Sequence, residues 1–175
     1  MRLPASAPDF DDPLEMLAAC HMRIESQCMT LLRLPAYLGE HGNDAAVREA
    51  ASKVIRYFET AGRHHHQDEE QDLFPLLITR ADAAQRALIG NLTAQHEDLD
   101  AAWRVLKPLL ETLAEGGTVS EALPVERFAA LYRAHINEEN ARLLPLARTV
   151  LSVEELRALG ESMARRRGRK ISAGI

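Results

Sequence analysis

Between residues 13 and 150, apolar side chains recur every three or four positions in four long blocks. That is the period of a helix with one buried face. No block alternates apolar and polar residues as a half-buried strand would. The first block predicts a helix from Pro13 to about Leu38, with Asp12 as its cap and Pro13 at the first helical position. Its inward face is Leu14, Leu17, His21, Ile24, Cys28, Leu31 and Leu32, with Glu25 beside His21, and Pro35 kinks or ends the last turn. Residues 39–43 (GEHGN) read as a turn with a solvated His41. Asp44 caps a second helix reaching about Ile78, with Val54, Phe58, Ala61, His65, Glu69, Leu73, Leu76 and Leu77 inward and Pro75 bending its end.

Asp82 caps a third helix, Ala83 to about Glu115, on Leu88, Ile89, Leu92, His96, Leu99, Trp103, Leu106 and Leu110, with a kink at Pro108. Pro124 opens a fourth, to about Val150, on Phe128, Leu131, Tyr132, His135, Glu139, Leu143 and Leu146. Ser152 and Glu155 match a capping box for a short fifth helix, Val153 to about Arg166. Short links between long amphipathic helices describe an all-α, up-down-up-down four-helix bundle over 13–150. An extended arm (1–12) precedes it, and a short C-terminal helix with a basic tail (151–175) follows.

Composition narrows the classes. With 46% hydrophobic and 27% charged residues, the 175-residue chain can bury a core and is not of disordered type. A net charge of -5 argues against a nucleic-acid partner. No uncharged apolar run reaches the length of a membrane span. Cys20 and Cys28 lie about 12 Å apart along one helix, too far for a disulfide, and no apolar leader opens the chain. A reducing cytoplasm is the expected setting. The run Arg165-Arg166-Arg167, with Arg169 and Lys170, reads as a solvated helix end, or as a contact for a partner or a homodimer.

The candidate chemistry lies on the apolar faces. Each long helix puts one histidine there: His21, His65, His96 and His135. Two are followed one turn later by a glutamate, as His65–Glu69 and His135–Glu139. One such pair can be a salt bridge. Four imidazoles and two carboxylates converging in a small core are hard to satisfy without a cation. Imidazole and carboxylate without thiolate suit iron, manganese or zinc. Six ligands exceed one tetrahedral zinc and fit two metals, with Glu69 and Glu139 bridging. Such bridges tolerate a change of oxidation state, which favours iron. Tyr132, one turn before His135, can reach a ligand or pack as a core aromatic. Glu70 and Glu138 read as solvated. The conspicuous triplet at His64, His65 and His66 reduces to His65, because neighbours on a helix diverge by about 100°. His64 and His66 then face solvent or stand behind the ligands.

In this order the residues resemble the hemerythrin-like, HHE cation-binding family over most of 13–148. The resemblance rests on His21; on His65 through Glu69-Glu70 to Leu73-Phe74-Pro75; on Gln95-His96; and on His135 to Glu139 with Leu144-Pro145 beyond. It implies a di-iron centre bridged by oxo, hydroxo or water, meeting a small diatomic or peroxide ligand. Oxygen-carrying members have two histidines four apart on the third helix, whereas here Asp100 follows His96. The site is then completed by Asp100, by Glu25 or by water. Oxygen activation, peroxide chemistry or simple iron binding gains on reversible oxygen carriage. Three readings stay open: a di-iron protein for sensing, iron handling or stress defence; an oxidase or peroxidase; and a regulatory module with a structural metal.

Overall fold

The structure is a computed structural model that describes residues 10–169. Among these, every regular element is helical. Helix α1 spans Pro13–His41 without interruption at Pro35. It starts where Asp12 accepts the Glu15 amide at 3.0 Å. It ends three residues later than the hydrophobic pattern suggested, because Gly42 takes a φ of 68° and returns its N–H to the Leu38 carbonyl. Glycine adopts this left-handed geometry without a Cβ penalty. His41 is thus in the helix, stacked on Tyr37 with ring centroids 4.1 Å apart.

Helix α2 covers residues 45–78 and α4 covers residues 125–150, and neither is a plain α-helix. In α2 the α-helical pieces Ala45–Tyr57, Arg63–Gln67 and Phe74–Ile78 are separated by π-helical segments, Phe58–Gly62 and Asp68–Leu73. In α4, Glu139–Leu143 is the π segment between Val125–Glu138 and Leu144–Val150. Such wide turns change which residues share a face and often accompany functional sites. Two of them run into Pro75 and Pro145, which have no N–H to continue an α ladder. Helix α3 is Ala83–Ala114, opened by a capping box between Asp82 and Gln85, and it passes through Pro108. Helix α5 is Val153–Arg166, opened by the Ser152–Glu155 capping box.

The long helices pack as neighbours in the order α1, α2, α3, α4 and back to α1. Their interior divides into two apolar clusters. One contains Ile24, Leu31, Val54, Phe58, Leu99, Leu106, Phe128 and Ile136. The other contains Leu14, Leu17, Leu73, Leu77, Ile89, Leu92 and Leu143. Each long helix passes from one cluster to the other at its polar position: between Leu17 and Ile24, Phe58 and Leu73, Leu92 and Leu99, Ile136 and Leu143.

Helix α5 adds Leu159 and Met163 to the second cluster. Its end is not simply solvated. Arg166 and Arg167 both pair with Asp68, which is fully buried, and Arg166 also reaches Asp72 at 2.6 Å. Phe10 lies so close to Gly160 that a Cβ there would stand 1.9 Å from the Phe10 carbonyl oxygen. The arm before residue 10 and the tail after residue 169 lie outside the described residues.

Candidate metal centre

Between the two apolar clusters lies a polar slab made of His21, His65, Glu69, His96, His135 and Glu139, each at most 2% exposed. His21 comes from α1, His65 and Glu69 from α2, His96 from α3, and His135 and Glu139 from α4. Two groups form within it. His21, His65, Glu69 and Glu139 each place a ligating atom within 4.8 Å of the others, and so do Glu69, His96, His135 and Glu139. Glu69 and Glu139 belong to both.

The hydrogen bonds show which ring nitrogens face inward. His21 Nδ1 donates to Asn140 Oδ1 at 2.8 Å. His96 Nδ1 donates to Glu70 Oε1 at 2.7 Å. His135 Nδ1 donates to Gln95 Oε1 at 2.8 Å, and Gln95 is held in turn by Glu138 at 2.8 Å. These protons are assigned from their acceptors, since an ionised carboxylate or an amide oxygen can only accept. Outer partners of this kind orient a metal-binding imidazole and raise its basicity. With Nδ1 as the outward donor of each ring, Nε2 of His96 and Nε2 of His135 face each other at 3.0 Å, and on singly protonated rings both are acceptors. Two acceptors cannot satisfy one another at that distance without a cation or a proton between them.

The rest of the slab repeats the problem. His21 Nε2, both nitrogens of His65 and all four oxygens of Glu69 and Glu139 are buried without a hydrogen-bond partner. Imidazole–carboxylate approaches of 3.1 to 3.4 Å are present but not aligned as hydrogen bonds. Buried polar atoms in a native core are nearly always satisfied. Unsatisfied imidazole nitrogens and carboxylate oxygens converging in this way fit a cation.

The metal-free electrostatics agree. Burial, and then the Glu139 charge, push Glu69 well above the usual carboxylate range. Burial would raise Glu139 too, but His135 and His21 outweigh it and hold that carboxyl well below its usual value. His65 is driven far down by burial and by the neighbouring His21, so its imidazole is neutral and able to ligate. Burial works against the charged form of His21, but Glu139 overrides it and raises the group.

The remaining candidates divide sharply. Asp100 and Glu25 are exposed and in neither group. Each follows its histidine by one turn, but that phase carries it to the rim rather than the slab. Glu70, read as solvated, is the hydrogen-bond partner of His96. Glu138, also read as solvated, holds Asn91 and Gln95. Tyr132 is buried, with its hydroxyl 3.5 Å from His66 Nε2. His66, read as facing solvent or standing behind the ligands, takes the second place. Its ring lies 4.1 Å from His96 at 14°, and it forms a third group with His96 and His135. Cys28 is buried, and burial pushes its thiol up to about 12, so it is inert.

Pattern reading also missed an internal correspondence. Leu17, His21, Ile24 and Leu31 on α1 have the same spacing as Leu92, His96, Leu99 and Leu106 on α3. Phe58, His65, Glu69, Leu73 and Pro75 on α2 match Phe128, His135, Glu139, Leu143 and Pro145 on α4. The signal is visible in the sequence when helix pairs, rather than a fixed period, are compared.

Comparison with known proteins gives the same reading. A relative from Haemophilus influenzae, described as an uncharacterized protein, is 36% identical over 165 residues, covering 94% of this chain and 95% of its own length. The family model for the Hemerythrin HHE cation binding domain matches residues 12–147. That span starts at the cap of α1 and ends within the last turns of α4, so it takes in every residue of the slab. The chain belongs to the hemerythrin HHE cation-binding family.

Proposed function

We propose that this is a non-haem di-iron protein in which His21, His65, Glu69, His96, His135 and Glu139 hold two metal ions, with both glutamates shared. We further propose that it binds or reacts with dioxygen, peroxide or nitric oxide in sensing, iron handling or stress defence. The observation that carries this is the buried slab of converging imidazole nitrogens and carboxylate oxygens left without hydrogen-bond partners. Two iron ions there supply a redox-active pair that can exchange electrons with a small oxidant. Manganese or zinc would fit the same donors.

The chain's own residues set the conditions. Glu70, Gln95 and Asn140 fix three imidazoles with Nε2 inward. Two glutamates supply negative charge where two cations would otherwise repel. The apolar clusters above and below keep bulk water out, so the site's charges interact strongly. The packing order of the helices and their short links support the up-down-up-down arrangement.

The test is metal analysis with an absorption spectrum on anaerobically purified protein, before and after air. Two irons per chain and a carboxylate-bridged di-iron spectrum on oxidation are expected. One zinc, or no metal after native purification, overturns the reading. An enzymatic role has one observation in its favour. A cavity of about 290 Å³ opens beside the slab at His66, Trp103 and Tyr132, large enough for a small substrate. Turnover of hydrogen peroxide that is lost in E139A would place the protein among oxidases or peroxidases.

A further inference from the structure

We propose that the cavity of about 290 Å³ between α2, α3 and α4 is a binding site for a small organic monocarboxylate with an apolar body. None of its lining residues is among the six proposed ligands, so the inference stands apart from the di-iron reading.

The correspondence of the helix pairs supplies an internal reference for this cavity. Matching α2 with α4 and α3 with α1 carries it onto a second cavity, of about 230 Å³, between α4 and α1. Arg63 then falls on Arg133, and Asp100 on Glu25, so each cavity keeps one guanidinium and one carboxylate from these positions. The common fold accounts for that much. Three other positions differ: Arg104 falls on Met29, Trp103 on Cys28, and Gly62 on Tyr132. The first adds a second cation. The second adds a flat aromatic wall. The third removes a side chain, and a Cβ at Gly62 would already stand 3.2 Å from Phe58 Cδ1. The space left there lets the first cavity reach inward to His66, where the phenol ring of Tyr132 fills the other.

Charge decides the sign of the guest. Glu59 is already committed, accepting from Trp103 Nε1 at 2.8 Å and pairing with Lys107 at 3.0 Å. Arg104 gives only its Nε, to the Asp100 backbone carbonyl at 3.3 Å, and Arg63 has no hydrogen-bond or ion-pair partner among the described residues. Two guanidiniums therefore share the single carboxylate of Asp100. A carboxylate guest supplies the missing charge, and its two oxygens suit the planar fork of an arginine. Phe58, Leu99 and Trp103 receive the apolar body. A few polar groups fixing one end of an apolar cavity is the usual form of a small-molecule site. The His66 ring at the inner end stacks on His96 at 4.1 Å, so a guest that fills the cavity lies one ring away from the slab.

The experiment titrates the protein as purified with benzoate, phenylacetate and hexanoate, read by calorimetry and by tryptophan fluorescence. Trp103 is the one tryptophan of the chain, so a fluorescence change places the guest at this wall. Saturable binding of at least one acid is expected, with acetate, inorganic phosphate and neutral benzamide much weaker. Both arginines are exposed, which limits what each contributes. Together, R63Q/R104M should weaken binding about tenfold. R133Q, in the second cavity, should leave it unchanged. Circular dichroism confirms the fold, and the single variants R63Q and R104M serve if the pair does not fold. No saturable binding by any of the three acids overturns the assignment. So does equal binding of benzamide, acetate or phosphate. An affinity unchanged in R63Q/R104M, or weakened equally by R133Q, overturns it as well, because the acid would then be held elsewhere.

Discussion

Glu69 and Glu139 are chemically alike, equally buried and driven in opposite directions. Without a cation, Glu69 prefers its proton, because burial and the neighbouring charge both oppose ionisation. Its raised value means that the unfolded chain gives up this proton first as pH rises. Stability is therefore present below about pH 4.5 and lost as pH climbs towards the folded value. Glu139, held down by imidazoles, has the reverse dependence, and its contribution is lost as pH falls below about 4.5. Metal-free E69Q should melt above metal-free wild type at pH 7, with the gap closing near pH 4. Metal-free E139Q should melt below wild type at pH 7. Thermal scans of apoprotein across that range check both signs. On the proposed di-iron reading, the same E69Q exchange should abolish the two-metal complex, since an amide cannot supply a shared anionic bridge.

The residues that could be found from sequence are those whose helical phase is set by long apolar stretches. His21 lies between Leu17 and Ile24, and His96 between Leu92 and Leu99, so their burial follows from the period. Those that could not be found depend on departures from it. His66 turns inward among π segments that no local propensity signals. Glu25 and Asp100 stand on unbroken α-helices, where the regular step of four residues from the histidine carries them to the rim, and the apolar period alone does not mark that edge. Asp68, Arg166 and Arg167 were hidden for a different reason. A charge run looks the same whether it meets water or a distant carboxylate.

At the scale of elements, that ion-paired contact ties α5 to the π segment that carries Glu69. Asp68 is fully buried, while its two arginines are 14% and 18% exposed. The burial excludes most of the screening that makes surface pairs weak. Removing one partner of a buried pair costs about 3–5 kcal/mol, and the exposure of the arginines puts D68A near the lower end, about 3 kcal/mol. At roughly 2–4 °C per kcal/mol for a chain of this size, its melting point should drop by about 6–12 °C. Iron affinity should fall with it, because Glu69 is the next residue. A competition titration against a chelator measures the second effect. Unchanged melting would show that α5 is held by Leu159 and Met163 alone.

At the scale of the molecule, the slab divides the core in two and all four long helices contribute to it. Metal binding therefore joins the halves as well as the helices. A ligand at a thousandfold excess over its dissociation constant stabilises the folded state by about 4 kcal/mol. Stripping the metal should then lower the melting point by roughly 10 °C, judged by the same scaling. Calorimetry before and after chelation tests this, and equal melting points would mean that the slab is satisfied some other way. The two apolar clusters explain why the metal-free chain would still fold. Each is a complete packing unit with its own large side chains.

The π segments carry one more consequence, for how the chain can change length. Each is in effect an α-helix with a single residue added, absorbed by one wide turn. Deleting one residue within Asp68–Leu73 or Glu139–Leu143 would tighten that turn and leave the flanking helix in phase. The same deletion between Leu92 and Leu99 would rotate half of α3 and carry His96 away from the slab. Relatives that vary in length inside their long helices should therefore do so at the wide turns.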